Sequence, residues 1–240
     1  WGFTGSPDVL EHRTGFLRAH SPSGAPRIAE AVVDLGENWR LGDLGVNVKR
    51  YPTCYATHRS IDAMLGLVSG HDLKPDDVRE IQVHTGTTQK LMLRNARPRT
   101  GLEAKFSMEF AMAAALVAGK VGLSELTDGF VARSDVMETV GKVTCTTTDE
   151  IGDGDQPFAP DDRVSVVLRS GEVLDHAPVV HAKGSWRRPL TREELRDKFL
   201  DCTTRVFDEA HARRLFDQLW RLKDAKSLRE LELMGPVARS

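Results

Sequence analysis

The chain has 240 residues, of which 40% are hydrophobic and 28% charged, and its formal net charge is -2. A pI near 6.5 argues against a nucleic-acid binder, because such proteins usually carry a basic excess. The longest apolar run, residues 111–118, is far too short to span a membrane, and the first residues lack the pattern of a signal peptide. Three widely spaced cysteines favour free thiols over a disulfide framework. We therefore expect a globular protein of the reducing cytoplasm.

Near the start of the chain, the residue pattern predicts one helix from Ser6 to Leu17 and a second from Ser23 to Leu35. Val46 to Tyr51 alternates between apolar and polar residues, which predicts a short strand. Apolar residues then recur at helical spacing from Ala56 to Ser69, which predicts a third helix.

The middle of the chain mixes strands and helices. Val78 to Thr85 and Lys142 to Thr148 are rich in β-forming residues and predict strands. Leu102 to Gly119 has a broad apolar face of small residues, which predicts one long buried helix. Arg163 to Arg169 and Glu172 to Pro178 predict a hairpin with a tight turn between them.

The last part of the chain is predicted to be helical. Thr191 and Glu194 form a Thr-x-x-Glu capping box, after which helices are predicted from Arg192 to Thr203 and from Glu209 to Leu222. Because the predicted strands are confined to residues 46–180, the fold class is α+β, with a mixed module inserted between two segments of a helical domain.

Two basic segments, residues 48–59 and 97–108, lie at predicted loop-to-helix junctions of a chain that has no basic excess. Lysine and arginine can neutralise carboxylates, and helix starts add backbone N–H donors. The segments therefore suggest a pocket for a small polycarboxylate. The same cations would acidify a C–H group next to a carboxylate, so that a nearby base could start an elimination, a decarboxylation or an epimerisation.

Three residues of the first segment are candidates for catalysis. Lys49 could stabilise negative charge on the substrate, or it could be a solvated lysine at a strand end. Cys54 could be a small packed side chain, or a nucleophile whose pKa nearby cations lower. His58 could exchange protons, or it could only form a hydrogen bond at the start of a helix.

Arg50, Arg99 and Lys105 are candidates for binding substrate carboxylates, although the second segment could also be a solvated basic loop. His176 and His181 have no cysteine or histidine partners at ligand spacing, so we expect no metal site.

Residues 49–58 followed by Ile61-Asp62-Ala63 resemble the lysine-tyrosine-proline and alanine-threonine-histidine signature of the MmgE/PrpD family. Residues 100–108 resemble the second common block of that family. Gly2 to Gly5 and Arg188 to Phe199 are similar to further family segments, so the resemblance extends over nearly the whole chain.

This resemblance implies an enzyme that acts on a small di- or tricarboxylate without a metal or an organic cofactor, as do 2-methylcitrate dehydratase, cis-aconitate decarboxylase and an iminodisuccinate epimerase. It implies an all-helical domain and an α+β lid with the active site between them, usually in a homodimer. Residues 1–45 would end the first helical segment, residues 46–183 would form the lid, and residues 184–240 would return to the helical domain.

The resemblance assigns Lys49 to the active-site lysine of the family, whereas His58 and Lys105 match motif positions. Cys54 stands where the decarboxylase branch has a catalytic histidine, and Met92 stands near a tyrosine of that branch. Both departures argue against itaconate production. The resemblance therefore favours dehydration of 2-methylcitrate, with an epimerase of an amino-dicarboxylate and a non-catalytic subunit as the alternatives.

Members of the family are roughly twice as long as this chain, which begins with Trp1-Gly2-Phe3. We therefore expect a C-terminal fragment that is inactive alone and needs an N-terminal helical half, supplied in trans, to complete its active site.

Overall fold

The computed structural model describes residues 4–21, 30, 33, 36–37, 39, 41–42, 45–153, 158–231 and 233. The chain divides into two compact units, Trp1–Gly45 and Val46–Ser240. The further boundary that we expect between residues 183 and 184 remains a prediction.

In the first unit, helix α1 (Phe16–Ala19) is short, and residues 7–15 form turns and bends. The helix predicted from Ser6 to Leu17 is therefore wrong. The backbone folds back on itself there, because the Phe16 N–H donates to the Val9 carbonyl seven residues earlier, a separation that no α-helical hydrogen bond spans. The helix predicted from Ser23 to Leu35 lies mostly outside the described residues.

The second unit carries the sheet and most of the described helices. Its helices are α2 (His58–His71), α3 (Thr87–Met92), α4 (Gly101–Ala104), α5 (Met108–Ala118), α6 (Asp128–Val131), α7 (Ser134–Val140), α8 (Arg192–Thr203) and α9 (Glu209–Trp220). Its strands are β1 (Val78–Gly86), β2 (Val143–Thr148), β3 (Arg163–Leu168) and β4 (Val173–Asp175). A 3-10 turn, Tyr55–Thr57, precedes α2.

The four strands form one mixed sheet in the order β2-β1-β3-β4. β1 pairs with β2 in parallel and with β3 antiparallel, and the predicted hairpin joins β3 to β4. Helices together with this sheet confirm the α+β class. The helix predicted from Arg192 to Thr203 is confirmed with its capping box, since the Thr191 hydroxyl accepts from the Glu194 N–H.

Helices α2 and α5 pack against each other and against the sheet, and together they form the core. Residues 108–116 of α5 are all buried, because a helix of small and apolar side chains can approach its neighbours on every side. Among the described residues, no helix is both long and apolar enough to cross a bilayer.

Two predicted elements of this unit differ in the structure. Residues 45–54 have no regular secondary structure, so the strand predicted from Val46 to Tyr51 is wrong. The helix predicted from Leu102 to Gly119 is two helices, α4 and α5. The chain breaks between them because the Ser107 hydroxyl accepts from the Phe110 N–H and so caps a new helix.

One fully buried carboxylate joins several of these elements. Asp162, which precedes β3, accepts hydrogen bonds from four side chains at distances of 2.8–2.9 Å: Arg59, Ser60, Thr85 and Gln89. The first two belong to α2, the third to β1 and the fourth to α3. The Arg59 side chain is only 10% exposed, so both charges of this ion pair are largely removed from water.

Replacement of Asp162 by asparagine should lower the free energy of unfolding by about 3 kcal/mol or more, because it leaves the Arg59 guanidinium buried without a counter-charge. Asp161→Asn is the matched control, since its partner Arg163 is 61% exposed and such pairs contribute about 1 kcal/mol or less. Denaturant unfolding of both variants measures the difference. Equal losses of unfolding free energy in the two variants would show that the buried ion pair stabilises the fold no more than the exposed one.

Candidate active site

The structure brings the two basic segments into contact. The Cys54 N–H of the first segment donates to the Lys105 carbonyl of the second at 2.8 Å. This carbonyl is available because the helix predicted through Lys105 ends at Ala104 and restarts at Met108. The break between α4 and α5 therefore provides the backbone acceptor that holds the segments together.

A glycine fixes the approach of the lysine-bearing backbone to the segment before α8. The Val48 N–H donates to the Gly184 carbonyl at 2.7 Å. Gly184 has φ +90°, and a Cβ there would lie 2.1 Å from the Val48 carbonyl oxygen. Only glycine combines this left-handed conformation with so close a contact.

Lys49 and His58 approach the same backbone oxygen. The Lys49 Nζ donates to the Thr53 carbonyl at 3.3 Å, and His58 Nε2 lies 3.4 Å from that oxygen. Lys49 is otherwise exposed, so its ammonium can reach a ligand from solvent. The Thr53 carbonyl thus links the exposed cation to the buried imidazole.

His58 lies inside the protein between two aromatic rings. Its side chain is fully buried, with the Tyr51 ring at 5.2 Å and the Tyr55 ring at 4.9 Å between centroids. Burial lowers the pKa of His58 to about 4 against the opposing effect of the Thr53 carbonyl, and the nearby charge of Lys49 lowers it further. His58 is therefore neutral at pH 7 and does not face solvent.

Cys54 is half-buried and packs against the hydrophobic core. It precedes the 3-10 turn that leads to His58, and its carbonyl accepts from the Thr57 hydroxyl at 2.8 Å. Cys54 therefore directly follows Thr53, the residue whose carbonyl accepts from Lys49.

Arg50 is already paired within the protein. The Arg50 guanidinium donates to Glu194 at 2.5 Å, and the ammonium of Lys183 contacts the same carboxylate oxygen. Burial acts to raise the pKa of Glu194, but hydrogen bonds from Lys183, the Thr191 backbone and Arg50 outweigh it and lower the pKa to about 2. This ion cluster anchors the start of α8 to the first basic segment.

A second buried carboxylate holds the same region. Asp62 accepts from the Tyr51 hydroxyl and from the Lys183 N–H, both at 2.6 Å, and its side chain is 3% exposed. The Arg188 guanidinium approaches it at 3.4 Å. Burial and the Asp62 carboxylate both raise the pKa of Tyr51, so this phenol stays protonated and donates.

The two remaining binding candidates differ in their surroundings. Lys105 is half-buried and lies next to Cys54 through the backbone contact. Arg99 is exposed, and its N–H donates to the Glu103 carboxylate at 2.6 Å. No described hydrogen bond or ion pair of the Arg99 guanidinium connects it to the first segment.

Asp62, Lys183 and Arg188 were not among the residues that the sequence suggested. Sequence patterns that could have indicated two of them were present, since Asp62 belongs to the family-like Ile61-Asp62-Ala63 and Arg188 begins another family-like segment. Neither pattern reveals that residues 62 and 183 meet. Within the described ranges, no group of three or more histidine, cysteine or acidic side chains could hold a metal ion.

The amino-acid sequence is similar to those of known proteins. A family model described as the MmgE/PrpD C-terminal domain matches residues 51–222. The chain is 26% identical over 216 residues to cis-aconitate decarboxylase of Homo sapiens, and 25% identical over 211 residues to that of Mus musculus. Each match covers 82% of this chain and 40% of the relative, so the chain spans less than half of the length of these relatives.

Acidification should weaken the Glu194 cluster. Because the folded-state pKa of Glu194 is about 2, its stabilising contribution is present above the unfolded value of about 4.3 and is lost as the pH falls towards 2. Glu194→Gln should therefore be less stable than wild type at pH 7 and lose less stability between about pH 5 and pH 2. The exposed neighbour Glu193→Gln is the control, and denaturant unfolding at stepped pH is the measurement. Parallel pH profiles for wild type and Glu194→Gln would contradict this role.

Proposed function

The chain belongs to the MmgE/PrpD family, and we propose that it forms the lysine-bearing wall of an active site for a small di- or tricarboxylate. The observation that carries the proposal is the contact of Cys54 with Lys105, which joins the two family-like basic segments. The reaction that we assign is the dehydration of 2-methylcitrate.

In this reaction a base removes a proton from the carbon next to a carboxylate. The electron pair that is left forms the carbon–carbon double bond, and the hydroxyl group leaves as water after it takes up a proton. Negative charge grows on the carboxylate during proton removal, and Lys49 is placed to stabilise it. The exposed ammonium of Lys49, whose partner among the described residues is the Thr53 carbonyl, supports this assignment.

Cys54 and His58 receive different roles in the proposal. Cys54 is the candidate acid or base, because it directly follows Thr53, whose carbonyl accepts from Lys49, and because it is only partly buried. His58 is a positioning residue, because it is fully buried and contacts the Thr53 carbonyl that also holds Lys49. A neutral imidazole at this point avoids a second positive charge beside the lysine.

In this proposal, Lys105 and Lys49 rather than Arg50 make the main contacts with the substrate carboxylates. Arg50 and Lys183 are already both paired with the Glu194 carboxylate. We propose that Arg50 binds substrate only through its remaining N–H donors, and that Arg99 acts from the rim of the site.

Dehydration is preferred to decarboxylation because of two residues. Cys54 and Met92 replace the histidine and the tyrosine that the resemblance assigns to the decarboxylase branch. Met92 ends α3, a helix that packs beside the 3-10 turn Tyr55–Thr57, so this replacement lies near the candidate site. The decarboxylase relatives, at 26% and 25% identity, support the family more strongly than the reaction.

The chain alone should not turn over 2-methylcitrate, whereas a mixture with the N-terminal part of a family relative should release water and form the alkene. The reason is that the chain spans only 40% of the length of its curated relatives. Absorbance of the alkene product and NMR of the mixture are the measurements. Turnover by the chain alone would contradict this expectation. Proton exchange without loss of water would support the epimerase alternative, and an inert mixture would support the non-catalytic one.

Lys49→Ala should reduce the dehydration rate of the reconstituted enzyme by several orders of magnitude, because the charge that stabilises the transition state is lost. Lys74→Ala is the matched control, since Lys74 is 62% exposed, pairs with the exposed Asp72 two residues earlier and should leave the rate unchanged. Steady-state kinetics measure both variants. A loss below about tenfold, equivalent to roughly 1.4 kcal/mol of barrier, would remove Lys49 from the catalytic residues.

A further inference from the structure

One face of α8 is attached to the rest of the second unit at two points. At the start of the helix, the Glu194 carboxylate accepts from the Arg50 guanidinium of the first basic segment. Near its end, the Asp201 carboxylate accepts from the Leu123 N–H, in the loop after α5, at 3.0 Å. Residues seven positions apart in an α-helix lie on the same face, two turns apart. The two hydrogen bonds therefore fix which face of α8 is turned inward.

Lys198 lies on this inward face between the two attachment points. It follows Glu194 by four residues and precedes Asp201 by three, and such spacings keep side chains on one side of a helix. Its side chain is half-buried. Burial is the main cause of the low pKa of His58, and the charges of Lys49 and Lys198 both lower that pKa further. Lys198 is therefore close enough to act on the imidazole that approaches the carbonyl partner of Lys49.

Lys198 has no hydrogen bond or ion pair with another residue in the ranges that the structure describes. The Glu194 carboxylate, one turn earlier, already contacts two other cations, and the Asp201 carboxylate lies 3.7 Å from the Arg205 guanidinium. Lys49 likewise has a backbone carbonyl as its described partner. Two cations that act on the same imidazole repel each other, and an anion bound between them would remove that cost.

We propose that Lys198 is a further substrate-binding residue, which binds a second carboxylate of the substrate while Lys49 stabilises the carboxylate next to the departing proton. This inference rests on the proposed function. Lys49 precedes α2 and Lys198 belongs to α8, so the two ammonium groups approach the ligand from different elements. Contacts to two carboxylates would fix the orientation of the substrate as well as its position.

The ordinary role of a half-buried lysine is different. Its methylene groups cover apolar surface while the ammonium stays in water. Lys198→Met separates the two roles, because methionine keeps a long apolar side chain and removes the charge. Arg205→Met is the matched control, since it removes one positive charge just after α8 from a cation that already has Asp201 as its partner.

The first test asks whether Lys198 faces His58, and it needs no ligand. NMR titration of the His58 imidazole gives its pKa in the folded chain. Lys198→Met should raise this pKa, because a like charge near the imidazole is removed, whereas Arg205→Met should leave it unchanged. A His58 pKa that is the same in Lys198→Met as in wild type would overturn the proposal.

The second test measures binding of propane-1,2,3-tricarboxylate, which carries three carboxylates but no hydroxyl group to eliminate. NMR titrations use the chain alone and its mixture with the N-terminal part of a family relative. Lys198→Met should weaken binding by about tenfold, as expected for the loss of one charged contact, and Arg205→Met should bind as wild type does. Unweakened binding by Lys198→Met would overturn the proposal.

Lys49→Met separates a failure of this inference from a failure of the proposed function. If Lys49→Met weakens binding and Lys198→Met does not, the proposed function is retained and Lys198 is only a cover for apolar surface. If wild type binds no tricarboxylate either alone or in the mixture, both proposals are overturned.

Discussion

The buried carboxylate of Asp162 is the constraint on which the candidate site depends. Removal of a carboxylate from water costs several kcal/mol unless partners replace the solvent, so Asp162 is stable at this position only with its donors in place. Two of those donors, Arg59 and Ser60, directly follow His58 in the chain. The contact that anchors the sheet therefore also fixes the start of α2 and the basic segment before it.

The cations around this segment fall into two classes. Arg50 and Lys183 contact Glu194, and Arg188 approaches Asp62, so each of these cations already has a carboxylate partner within the protein. Lys49 has only a backbone carbonyl as its described partner. A count of basic residues in the sequence cannot make this distinction, because the counter-charges lie far along the chain: 144 residues separate Arg50 from Glu194.

The sequence predicted features that local chemistry determines. The capping box of Thr191 and Glu194, the α2 periodicity and the β-rich segments all depend on neighbours within a few residues, and the structure contains each of them. The prediction of one long helix through Lys105 was wrong, because the spacing of apolar residues does not reveal that Ser107 caps a new helix. The buried ion pair of Arg59 with Asp162 was not predictable, since it joins residues 103 positions apart.

The exposure of Lys49 limits what this wall of the site can do alone. An ammonium that interacts with a carboxylate through water gains only about 1 kcal/mol at 4 Å, whereas the same pair near a protein surface gains about four times as much. A lysine that acidifies a C–H group must therefore be covered when the substrate is bound. Neutral His58 and the protonated Tyr51 already keep competing charge away from this point. The proposed role of Lys49 therefore requires a second surface that excludes water from its ammonium when substrate is bound, and the described residues around Lys49 leave it exposed.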